Sequence, residues 1–150
     1  MSLVITVDSR ALKEVLDSLY AVTNDLSPVM SELGVEMETR VSGRFETETD
    51  PLGIKWLPWA ESTRKSYPKD GSGSILDRNG AKGMLGSLNH TFGDHSATVG
   101  FGDPKAQYHE WGTKRMQRCG LLFANPDAGT LAPDDEAALL DIVTRIFTRR

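Results

Sequence analysis

The sequence predicts an α+β fold, in which amino-terminal helices and a carboxy-terminal helix pack on a small, mainly antiparallel sheet around a long irregular central segment. Three observations predict it. Apolar residues recur at spacings of three and four over residues 12–45 and again over 139–147. Short apolar or β-branched runs stand at 3–7, 96–101 and 120–124. Between the helical ends, residues 51–82 hold three prolines and four glycines, which forbid a long regular element. The 150 residues form a single domain, 1–150, large enough to bury about 68–70% of the unfolded chain's surface.

Leu3-Val4-Ile5-Thr6-Val7 reads as a strand, and Asp8 or Ser9 can cap the helix that follows. Leu12, Val15, Leu16, Leu19, Val22 and Leu26 lay one apolar face along that helix. Ser27-Pro28 restarts the pattern, because proline is tolerated in a first helical turn. Met30, Leu33, Met37, Val41 and Phe45 continue the stripe, with Glu36, Arg40 and Arg44 on an outer row. Asp50-Pro51-Leu52-Gly53 ends the helical region in a turn, and Asp70-Gly71-Ser72-Gly73-Ser74 reads as an exposed loop tip. Residues 80–88 suggest a short helix, and a turn around His90 to His95 leads into the strand Ser96–Phe101. Asp103-Pro104 starts a helical turn through Tyr108, which Gly112 can end in a left-handed conformation. Gly120–Ala124 reads as a further strand. The last helix begins at Pro133, with Asp134, Asp135 and Glu136 complementing its dipole and Leu139, Leu140, Ile142, Val143, Ile146 and Phe147 forming a broad apolar face.

Composition narrows the function classes. One cysteine is too few for an internal disulfide or a cysteine-based zinc site, and no apolar run approaches a membrane helix. The amino terminus lacks the pattern of a signal peptide, so a soluble chain of a reducing cytoplasm is expected. The net charge of −4 conceals a division. Residues 1–60 balance at −5, residues 61–118 at +3 and residues 119–150 at −2. A basic middle between acidic ends suits a surface that meets another charged surface. Its candidates are Arg64, Lys65 and Lys69, then Lys114, Arg115 and Arg118, beside Tyr67 and Trp111. One reading of these clusters, at 64–69 and 114–118, is a DNA-contacting cytoplasmic binding protein.

Reactive groups do not converge. His90, His95, His109 and Cys119 match no metal-ligand spacing, and no nucleophile elbow surrounds Ser87. Gly100-Phe101-Gly102 reads as a strand end, and the carboxylates of Asp134 and Asp135 are explained by helix capping. A hydrolase built on His109 and Glu110 is the remaining catalytic reading. No catalytic residue, metal or cofactor is expected.

Four pieces, in order, carry a resemblance. Arg44-Phe45-Glu46 leads into Asp50-Pro51-Leu52-Gly53-Ile54-Lys55-Trp56-Leu57-Pro58 and Ser62-Thr63-Arg64-Lys65. Ile75-Leu76 comes next, with Gly83-Met84-Leu85-Gly86-Ser87-Leu88. Thr98-Val99-Gly100-Phe101 and Ala106-Gln107-Tyr108-His109-Glu110-Trp111-Gly112-Thr113 complete the series. Over about residues 26–113 this order resembles the tailed-phage virion morphogenesis family, the tail-completion or neck proteins of Mu-like phages. Its structural motif positions here are Phe45, Pro51, Gly53, Trp56, Leu76, Leu85, Gly100, His109 and Gly112. Arg115-Met116-Gln117-Arg118-Cys119-Gly120-Leu121-Leu122-Phe123 stands where the family commonly has a basic loop and a P-A-R-P-F segment. The resemblance implies a non-enzymatic assembly protein of the head–tail junction, made in the host cytoplasm and carried in the virion. It implies a homo-oligomeric ring of hexamer-type symmetry. Its partners would be neighbouring neck, connector and tail proteins and DNA passing through the lumen, with no membrane. In such a ring the acidic helical end of one copy would meet the basic middle of the next.

Overall fold

The computed structural model describes residues 3–4, 10–20, 25–58, 61–66, 76, 83–114 and 117–148. Its elements, in chain order, are β1 (Leu3–Val4), α1 (Arg10–Tyr20), α2 (Ser27–Thr47), α3 (Glu61–Ser66), β2 (Leu88–Phe92), β3 (Ala97–Phe101), α4 (Lys105–Trp111) and α5 (Pro133–Thr148). The three strands form one antiparallel sheet in the order β1-β3-β2. The α+β class read from the sequence holds.

The organising element is α2. Val29, Met30, Leu33, Met37, Val41 and Phe45 are buried, as their spacing predicts. One flank of α2 packs on β2 and β3, and another packs on α5, which also meets α1. Gly34 allows the close approach to the sheet: a Cβ there would lie 2.8 Å from Cδ2 of His90. Phe101, Leu121, Leu122, Phe123, Leu139, Ile142 and Val143 complete the core around α2.

Several expectations change in detail. Val15 is exposed, although Leu16 packs against the core. The strand read at 3–7 is described only at Leu3–Val4, and Leu12, Leu19 and Val22 carry no described side chain. The helix expected over 80–88 is a 3-10 turn at Leu85–Ser87 followed at once by a strand, so His90 lies within β2 and the hairpin turn falls at 93–96. Alternation in Leu88-Asn89-His90-Thr91-Phe92 is muted by polar residues, which hid the strand. The irregular segment contains a short helix, α3. Residues 120–124 form no strand; their backbone groups bond elsewhere, as described below. Gly112 does end α4 with a positive φ of 75°, but its ψ of 175° is not left-handed helical.

The loop tip at 70–74 lies outside the described residues, as do Trp59 and Tyr67. Of the structural motif positions, Phe45, Pro51 and Trp56 are buried, and Leu76 and Leu85 pack partly against the core. Leu76 has a φ of 65°, uncommon for a residue with a side chain. Gly100 lies in β3, opposite both Val4 and Asn89.

Candidate functional site: an apolar loop and the strap behind it

α2 ends at Glu48, whose left-handed backbone returns its N–H to the Arg44 carbonyl. The next ten residues form a closely tied loop. Asp50 Oδ1 accepts from the amides of Leu52 at 2.9 Å and Ile54 at 2.8 Å, and Gly53 N donates to Asp50 O at 3.0 Å. Gly53 takes a φ of 82°, which a residue with a Cβ adopts only with strain. Thr49 and Lys55 bridge across the base, and Trp56 N donates to Glu48 O at 2.8 Å. The turn that Pro51 and Gly53 foretell is therefore present. Its side chains are unusual: Leu52 and Ile54 within the turn, and Leu57 just past Trp56, are 52%, 62% and 52% exposed. Three large aliphatic side chains thus stand in water within one short segment.

Trp56 anchors this loop from below. Its ring meets Phe45 edge-on at 5.5 Å, and its Nε1–H donates to Gly120 O at 3.1 Å. Gly120 begins a strap, residues 117–124, that passes over the core without forming a strand. Glu110 of α4 holds it there. That side chain is fully buried and accepts from three successive backbone amides: Leu121 at 2.7 Å, Leu122 at 3.0 Å and Phe123 at 2.9 Å. Arg118 closes the arrangement. Its Nε donates to Glu110 O at 2.6 Å, its Nη2 lies 3.3 Å from Glu110 Oε1, and it also donates to Phe123 O. The apolar run 121–123 thus supplies core side chains while a carboxylate satisfies its backbone, a substitute for a strand partner.

A second polar network ties the strap to the helices. Arg44 donates to Leu121 O at 2.6 Å and pairs with Asp135, while Arg40 Nε reaches Asp135 Oδ1 at 2.7 Å. Asp135 is 1% exposed and Arg44 6%. Asp135 is accordingly no mere helix cap, and Arg44 does not belong on an outer row as its spacing suggested. The expected Glu36–Arg40 pair is present at 3.7 Å.

The basic candidates fare unequally. Lys65 on α3 and Lys114 after α4 are exposed. Arg118 is committed to the strap by the contacts just given. The side chain of Arg64, and all of Lys69 and Arg115, lie outside the described residues. Exposed Tyr108 and Trp111 on α4 lie beside Lys114 in sequence, and α4 shares the strap with the apolar loop, since Cys119 N donates to His109 O at 2.9 Å.

The histidines are dispersed. His90 pairs with Glu38 and His95 with Asp94 in the hairpin turn. His109 Nδ1 is buried without a hydrogen-bond partner. Among the described residues no group of three His, Cys, Asp or Glu side chains could hold a metal ion, and no helix is long and apolar enough to cross a membrane. Glu110, the carboxylate of the hydrolase reading, has its oxygens taken up by the strap.

Burial pushes the His109 imidazole below its usual value; Asp103 pulls the other way and Lys105 adds to the lowering. The folded protein therefore disfavours the protonated form of His109 relative to the unfolded chain. As the pH falls through about 6.5, the unfolded chain binds the proton first and stability declines. Urea unfolding at pH 7.5, 6.5 and 5.5 should show a smaller acid loss for His109→Leu than for the parent chain. Equal slopes would remove the assignment.

The model of the phage virion morphogenesis family matches residues 7–146. The Mu-like prophage FluMu G protein 1 of Haemophilus influenzae is 34% identical over 84 residues, a match covering 55% of this chain and 58% of that protein. The alignment thus spans little over half of that relative. No solved structure matches. Sequence reasoning foresaw the turn at 50–53 and the anchoring role of Trp56. It missed the exposed aliphatics of the loop and the strap, although an acidic residue ahead of an apolar run without alternation was the available signal for the latter.

Proposed function

Because this chain belongs to the phage virion morphogenesis family, a structural family of phage assembly, we propose that it acts at the head–tail junction as a homo-oligomeric ring. The observation that carries the proposal is the apolar loop. Leu52 and Ile54 stand exposed on a backbone that Asp50 and Gly53 already hold in place, and Leu57 stands exposed next to the anchored Trp56, so little ordering cost remains when a neighbour covers them. A ring needs two different, complementary faces on each copy. The loop supplies an apolar one. The division of charge, −5 over residues 1–60 and +3 over 61–118, supplies an electrostatic one that sets approach and register.

The experiment replaces Leu52, Ile54 and Leu57 together by serine. The triple variant should keep its helix content and its thermal midpoint, because the three side chains contribute little to the core. It should no longer form rings by electron microscopy or complement a phage that lacks the gene. Charge reversal at Arg64, Lys65 and Lys69 should slow assembly in a salt-dependent way. Normal rings and full complementation by the triple variant would overturn the loop's role.

A further inference from the structure

Among the described residues, the strand order β1-β3-β2 leaves β2 at an edge of the sheet. The hairpin register decides which of its backbone groups face outward. Gly93 N donates to Ser96 O at 2.8 Å across the turn, and Gly102 N donates to Ser87 O at 3.0 Å. In an antiparallel ladder hydrogen-bonded pairs alternate, so residues 87, 89, 91 and 93 bond to the β3 side. Leu88, His90 and Phe92 therefore direct their N–H and C=O groups away from the sheet. No backbone partner among the described residues takes them up.

Proteins usually guard such an edge with lysine, proline, a bulge or a covering segment. Leu88-Asn89-His90-Thr91-Phe92 contains neither lysine nor proline, and its pairing with β3 runs without a bulge. Phe92 at its end is 51% exposed.

We propose that β2 pairs antiparallel with β2 of a second copy of this chain, about a two-fold axis at His90. The two three-stranded sheets then join into one. Self-complementarity selects this occupant. With His90 opposite its own counterpart, all three outward-facing residues find partners, and each such pair exchanges two N–H···O bonds. Leu88 then lies opposite the partner's Phe92, and Phe92 opposite the partner's Leu88. Both are on the face that α2 covers, because the His90 ring between them lies against Gly34 and pairs with Glu38. The half-exposed Phe92 ring so gains an apolar neighbour, twice by symmetry. On the opposite face exposed Asn89 meets the partner's Thr91, a polar pair able to hydrogen-bond.

A two-fold contact closes at two copies and cannot propagate round a ring. The pairing therefore belongs to copies outside the ring, whose open edges it covers, and it does not depend on the ring reading.

The test uses Asn89→Cys with Thr91→Cys in a Cys119→Ser background. In the paired strands residue 89 lies directly opposite the partner's residue 91, at a Cβ separation of about 4.5–5.5 Å that a disulfide can span with slight adjustment. Mild oxidation of the full chain should convert most of it to covalent dimers. Phe92→Lys, at a position exposed enough to preserve the fold, should raise the dimer dissociation constant about tenfold or more by light scattering. It should also suppress the cross-link, while the circular dichroism stays that of the parent. A parent chain that is monomeric at the cross-linking concentration would overturn the proposal. So would cross-linking no better than that of cysteines at exposed Gln107 and Thr144, or a dimer indifferent to Phe92→Lys. Capture of the edge only by another phage protein, with no self-pairing, would overturn it as well.

Discussion

Glu110→Ala is expected to lower the unfolding free energy by about 3–5 kcal/mol and to open the strap to proteolysis. The carboxylate accepts from the amides of Leu121, Leu122 and Phe123 in a site that excludes water. Removing it leaves three buried donors unsatisfied and takes one charged partner from Arg118. Each buried donor left unsatisfied costs about 1–3 kcal/mol, and partial opening of the strap limits the total. Opening, however, exposes Leu121, Leu122 and Phe123, which contribute to the core. Glu110→Gln should lie between the parent and the alanine variant, since its amide keeps one acceptor oxygen and turns an NH2 towards a donor. Urea midpoints and the rate of limited proteolysis within 117–124 measure both effects. A loss below about 1 kcal/mol for alanine, with unchanged proteolysis, would show that the strap stands without its carboxylate.

Asp135→Asn is expected to cost about 3–5 kcal/mol, because it strips a buried guanidinium of its counter-charge. Arg44 cannot reach water, as it is 6% exposed. Its remaining partner among these contacts is the carbonyl of Leu121. Arg40 is different. It is about one-third exposed and also pairs with Glu36, so Arg40→Lys should cost under about 1 kcal/mol. The double variant Arg44→Met with Asp135→Leu should recover much of the loss, because an apolar pair of similar volume removes the buried charges together. Recovery in the double variant distinguishes an unpaired charge from simple misfolding. If Asp135→Asn were as stable as the parent chain, the network would be incidental.

How far the sequence spoke depended on whether burial followed periodicity. The stripe Met30, Leu33, Met37, Val41 and Phe45 repeats with the helix, and all five side chains are buried. Ala97–Phe101 and the last helix were equally legible, as was the turn at Pro51 and Gly53. Polar residues placed in the interior were not. Arg44 lies on a helix whose other charged side chains stay at least partly exposed, and its partners Asp135 and the Leu121 carbonyl, both distant in sequence, hold it inside. Glu110 sits beside His109 as a plausible catalytic pair until the three amides of the strap claim it. The run 120–124 has a strand's composition without a strand's neighbours, since the amides of Leu121, Leu122 and Phe123 bond to a side chain. Beta propensity reports that a segment suits a half-buried surface, not that a ladder lies beside it.

The Arg44–Asp135 clamp joins residues 91 positions apart in the chain, and Arg40 reaches across 95. During synthesis α2 leaves the ribosome long before its counter-charge is made. At about 5–20 residues per second that interval is on the order of 5–20 seconds. Over it the nascent chain carries Arg44 without Asp135, and the flank of α2 that will meet α5 has nothing to rest against. The tertiary structure therefore completes late, and this interval is when a chaperone would find the chain most receptive.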